Sequence, residues 1–116
     1  MGTHYEGRPV PEKDWKYLRS IQPEMLNSLC AKINQKATDI IGSQGDSAHA
    51  KCLKLYKHIR ESDKCVAGCF NDWRRSNFWM TILVLRRYGI LTDTLVLGFT
   101  EEGRQGVQAF DSLPCR

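Results

Sequence analysis

The strongest constraint in this sequence is a helical repeat. Leu26, Leu29, Cys30, Ile33, Ala37, Ile40 and Ile41 recur at three- and four-residue intervals, a spacing that lines one face of an α-helix. The run ends at Gly42-Ser-Gln-Gly-Asp46, a turn cluster in which Gly42 stands where a left-handed cap belongs. A second repeat follows. Projected at 100° per residue, Ala48, Cys52, Leu55, Tyr56, Ile59, Val66, Phe70 and Trp73 share one arc. Lys54, Lys57, Arg60, Glu61, Lys64, Asp72 and Arg75 fill the opposite arc. Asp46 or Ser47 can cap the start, and the pattern predicts one long amphipathic helix over residues 47–74.

The flanking segments are shorter. Residues 1–11, with Gly2, Gly7, Pro9 and Pro11, read as a flexible N-terminal arm. Glu12 to about Ile21 predicts a first short helix, after which Pro23 either opens a new helix or kinks a continuing one. Ser76 or Asn77 can cap a helix from Phe78 to Tyr88, with Arg86 and Arg87 in its last turn and Gly89-Ile90 as a Schellman stop. A strand over residues 81–85 is the alternative, because Thr, Ile and Val favour sheets; the caps at both ends favour the helix. Thr92 or Thr94 starts another short helix, closed near Gly98. Thr100-Glu101-Glu102 opens a last one, anchored by Val107 and Phe110 and finished by Pro114. The expected fold is all-α: a single-domain irregular bundle of about five or six helices, two of them long, over residues 12–116.

Composition excludes several classes. With 116 residues, 41% of them hydrophobic and a net charge of +4, the chain suits one domain with its own core and not a disordered segment. No stretch approaches the roughly 18 apolar residues of a membrane span, and residues 1–15 lack the apolar core of an export signal. The expectation is therefore a cytoplasmic protein with no membrane partner. Five cysteines, an odd number in that compartment, read as reduced thiols.

Candidate chemistry is sparse. Cys65 and Cys69 lie one helical turn apart, a workable spacing for two zinc ligands, but His58 on the same line is about 10 Å away along the axis. No metal and no cofactor are expected. No nucleophile elbow, phosphate loop or zinc-hydrolase motif occurs, so no catalytic residue is assigned. Residues 47–90 hold nine Lys/Arg against three Asp/Glu. That excess could meet nucleic-acid phosphates, yet most of it occupies the face that any soluble helix turns to water. Nucleic acid is thus an unfavoured partner. Asp63 falls inside the apolar arc, where a buried carboxylate needs a cation or donors. Together with Asp72, Arg74 and Arg75 it is the candidate ligand-binding pocket.

The leading functional expectation is a non-enzymatic protein-interaction module working as a homodimer. The helix from Phe78 is apolar all round, which suits a helix that is central in the fold or shared with a partner. Trp79, Met80, Leu83 and Phe99 are the expected interface. The alternatives are a nucleic-acid-binding accessory protein using residues 47–90, and a small-ligand binder or enzyme built around Asp63.

Overall fold

In the computed structural model, which describes residues 8–112, no new helix opens at Pro23, and of the two readings left open there the continuing helix holds. Helix α1 runs unbroken over Glu12–Ile41 with Pro23 inside it, a length of about 45 Å. Pro23 is exposed, so water can satisfy the carbonyl one turn earlier, and the helix continues. A short turn leads to α2 (Ala48–Phe70), which returns antiparallel along α1. Ser47 is the N-cap: its Oγ accepts from the Ala50 amide at 3.1 Å. Gly42 departs from expectation, closing α1 with φ of −84°. The left-handed residue of this turn is Gly45, at φ of +90°.

Helix α2 stops at Phe70, short of the expected residue 74. Its apolar residue Trp73 lies beyond the end, and the indole Nε1 donates to the Cys69 carbonyl at 2.7 Å. This satisfies an acceptor that a helix terminus leaves open. A short 3₁₀ turn (Arg75–Asn77) leads into α3 (Phe78–Arg87), then α4 (Asp93–Val96) and α5 (Glu101–Asp111). No strand occurs among the described residues. The α3 stop is the expected Schellman motif: the Ile90 amide donates to Leu85 O at 2.9 Å and the Gly89 amide to Arg86 O at 3.0 Å, with Gly89 at φ +72°. Thr92 and Thr100 cap α4 and α5 through their hydroxyls. Arg86 joins all three: its Nε and Nη2 donate to Asp111 at 3.0 and 2.6 Å, and Nη2 also donates to Asp93 at 2.9 Å.

The molecule divides into a head and an arm. Leu18, Ile21 and Met25 of α1 and Cys69 of α2 form the head core with Phe78, Trp79, Ile82, Leu85, Leu91, Phe99, Val107 and Phe110. Of the N-terminal segment, residues 8–11 are described, and they lie along this head. The Trp79 indole donates to Pro9 O at 3.1 Å, and the Arg8 guanidinium sits 5.5 Å from the Trp79 ring. Beyond Met25, α1 and α2 have only each other. The hairpin projects, giving dimensions of 53 × 30 × 23 Å and a radius of gyration of 17.1 Å, against about 13 Å for a compact chain of this length.

Candidate interaction surface

In the arm, α1 and α2 meet along Leu26, Leu29, Ile33 and Ile40 on one helix and Leu55, His58, Ser62 and Cys65 on the other, all half-buried. His58 Nε2 lies 2.9 Å from Ile33 O and must donate, since a carbonyl only accepts; Nδ1 then accepts from Ser62 Oγ at 3.4 Å. The face that α2 turns to α1 is therefore partly polar. Its more apolar row lies one residue further on, about 100° round the helix, and faces water. Tyr56 is 65% and Ile59 46% exposed, with Cys52, Leu53 and Ile41 also uncovered. The adjoining strip of α1 carries Asn27, Ala31, Asn34 and Thr38, all exposed and none charged.

The opposite flank differs. Lys32, Lys36, Asp39, Lys54, Lys57 and Glu61 line shallow clefts of about 520 and 290 Å³ there. Lys54 Nζ donates to Asp46 at 2.7 Å, and this cation holds the Asp46 carboxyl below its ordinary range. The arm thus has one flank rich in charge and one broad flank on which Asp63 is the charged side chain. Ile41, Tyr56 and Ile59, three of the exposed large hydrophobic side chains among the described residues, lie on that second flank.

The residues expected to form a ligand pocket do not converge. Asp63 is exposed in the arm, which corrects the expectation of a buried carboxylate. The apolar arc that contains it has no second element against it, so nothing desolvates the group. Asp72 accepts from Arg74 Nε and Nη2 at 2.8 and 3.1 Å and from Asn77 Nδ2 at 2.7 Å. It borders a cavity of about 150 Å³ with Cys69, Trp73, Met80 and Thr81, below the roughly 300 Å³ of a small-molecule site. Arg75 points elsewhere, pairing with Glu12 and donating to Val10 O at 3.2 Å.

The residues expected at an interface separate as well. Trp79 and Phe99 are each 3% exposed within the chain's own core, where Phe99 meets the Tyr17 and Phe78 rings edge-on at 4.9 and 6.2 Å. Leu83 is half-buried and Met80 is 38% exposed. The apolar circumference of α3 is consumed by α1, α5, the end of α2 and the N-terminal segment. Among the expected interface residues, the surface that α3 leaves to a partner is chiefly that of Met80.

Cys65 and Cys69 are neighbours, but among the described residues no three His, Cys, Asp or Glu side chains gather as a metal site. Burial, with the adjacent Cys65, pushes the Cys69 thiol up to about 12. It is a thiol, and unreactive, at neutral pH. Exposed Cys52 is not so protected. Iodoacetamide at pH 8 is expected to modify Cys52 within minutes and Cys69 only after denaturation. Peptide mapping that finds both alkylated together in the native protein would contradict the burial of Cys69.

One polar site escaped the sequence reading. Asp14 is wholly buried. Its Oδ1 accepts from the Thr100 amide and its Oδ2 from the Thr100 hydroxyl, both at 2.7 Å, while Thr100 Oγ1 accepts from the Gly103 amide at 3.1 Å. A carboxylate from α1 thus seats the start of α5. The signal was present: Asp14, Leu18, Ile21 and Met25 share one helical line.

Comparison with protein-family models, curated proteins and solved structures finds no match. The likeness of other proteins therefore contributes nothing to the functional reading.

Proposed function

We propose that this chain is a non-enzymatic protein-interaction module that works as a homodimer in the cytoplasm, with the head as a stable base and the helical arm as the recognition element. The observation that carries the reading is the uncovered flank of the arm that bears Ile41, Cys52, Tyr56 and Ile59, with Asp63 as its charged side chain. Contiguous exposed apolar surface of this kind marks a contact site. No helix among the described residues is long and apolar enough to cross a membrane. The solvent-accessible area, 7,852 Å², supports it, since a compact monomer of this mass exposes about 6,500 Å².

Light scattering at micromolar concentration is expected to give twice the 13.3 kDa of one chain. A mass of one chain up to about 100 μM would end the reading. One observation favours a second: Lys57, Arg60 and Lys64 are exposed on the outer face of α2, and none forms an ion pair among the described residues. A nucleic-acid accessory role would show as duplex binding whose log affinity falls with log salt at a slope near −3, one counterion per cation.

A further inference from the structure

Each helix of the arm carries two rows of heptad spacing side by side. On α2, Lys51, Leu55, His58, Ser62, Cys65 and Cys69 alternate by four and three residues and face α1 or the head. Displaced by one residue, Cys52, Tyr56, Ile59, Asp63, Val66 and Phe70 repeat the same alternation. On α1 the used row includes Leu26, Leu29, Ile33 and Ile40, and beside it Asn27, Cys30, Asn34, Ala37 and Ile41 alternate by three and four. A helix in a two-helix hairpin needs one row. A helix with two adjacent rows is built for two neighbours, as in a four-helix bundle.

We infer that the second rows pack against those of a second copy, so that two arms close into an antiparallel four-helix bundle whose register is set by Asp63. This rests on the homodimer reading above and names its geometry. Three observations point to a second copy. Asp63 is the one charged side chain in the two second rows, and the antiparallel arrangement keeps its two copies apart, while Lys32, Lys36, Lys54 and Lys57 stay in water on the far side. The surface exposed beyond that of a compact monomer is on the order of 1,000 Å², and a standard interface takes about 800 Å² from each partner. Lastly, the α2 row, which meets its own copy in this arrangement, is apolar except at Asp63, the polar asparagines Asn27 and Asn34 lying in the α1 row. A single polar residue in such a seam fixes register and strand number at a cost in stability, which accounts for Asp63 lying among Tyr56, Ile59 and Val66.

The arms lie with heads at opposite ends. Facing helix layers are about 10 Å apart, whereas the molecule is 23–30 Å across its shorter dimensions, so heads at the same end collide. Full overlap of the arms then sets α2 against α2 and brings Lys51 of one copy level with Lys64 of the other.

The test combines mass, substitution and crosslinking on the full chain. Ile59 is exposed in the single chain, so Ile59→Glu leaves the head core untouched; it is expected to weaken self-association at least about a hundredfold with unchanged helicity. Lys36→Glu, on the charged flank, is expected to leave association unchanged. In mixed unlabelled and ¹⁵N-labelled protein, a short lysine-reactive crosslinker is expected to join Lys51 to Lys64 between copies. Asp63→Leu is expected to tighten association about tenfold and to add crosslinks from other registers. A dimer that Ile59→Glu leaves intact, or one linked Lys64 to Lys64, overturns this geometry but keeps the homodimer. A chain that stays single, or one that takes a different protein or a nucleic acid on this flank without self-association, overturns both.

Discussion

Replacing Gly106 with alanine is expected to lower the stability of the head by about 2–3 kcal/mol, and the melting temperature by about 10 °C. At an ordinary helical position the same change stabilises by up to about 1 kcal/mol, because alanine loses less backbone entropy. The sign reverses here through close approach. A Cβ on Gly106 would stand 2.2 Å from Trp79 Cη2 and 2.6 Å from Cζ3. The indole cannot retreat, since its Nε1 is bonded to Pro9 O and its ring lies against Phe78 and Phe110 at 4.7 and 5.5 Å. α5 must move off α3 instead. Gly68 is the control: it is helical, and a Cβ there meets nothing within 4 Å. Gly68→Ala is expected to raise stability by about 0.5–1 kcal/mol. Thermal melts followed by circular dichroism compare the two directly; shifts of the same sign would refute the tight α3–α5 packing.

Asp14→Ala is expected to cost about 3 kcal/mol, the upper part of the range for leaving buried hydrogen-bonding groups without their partner. The loss has two sources. The Thr100 amide and hydroxyl each lose an acceptor at 2.7 Å, and the start of α5 loses an anion where the helix dipole favours one. Asp14→Asn restores the shape but supplies only one acceptor oxygen, so an intermediate loss is expected. Thr100→Val on its own also removes the hydroxyl that caps Gly103. The double variant should therefore cost clearly less than the sum of the single ones, as partners in one network do. Urea denaturation measures all four. If Asp14→Ala stays within about 0.5 kcal/mol of the parent, the carboxylate does not hold α5.

The difference between legible and illegible features follows from the range of the interactions. The α3 stop at Gly89-Ile90, the Thr100 cap and the helical character of residues 78–87 are readable because each is settled within a few residues, and the Ser47 and Thr92 caps are each one of two candidates. The turn was placed correctly, but Gly42 was given the left-handed role that Gly45 holds. Two glycines three residues apart present the same local signal. Pro23 could not be resolved either, because a proline in a helix depends on whether the carbonyl it frees can reach water.

The candidate sites failed where face mattered more than period. Asp63 and Asp14 both interrupt an apolar line, and the sequence marks them equally. Asp14 is buried because Thr100, 86 residues away, brings two donors to it; Asp63 is exposed because, among the described residues, the head covers the second row of α2 only towards its Phe70 end. Trp79 and Phe99 were assigned to a partner because α3 looked too apolar for one chain to cover. Gly106 is what lets α5 come close enough to cover Trp79, and Gly103 lets it close on Asp14 of α1.

Helical character, the α3 stop and the hydroxyl caps of α2, α4 and α5 were thus within reach of the sequence alone, since hydrogen bonding and side-chain period act over one or two turns. The tertiary structure alone decided which of two adjacent heptad rows α1 and α2 share, which carboxylate is buried, and how much of α3 remains for a partner. Those depend on what packs across a helix, and a helical repeat specifies a buried face without specifying what buries it.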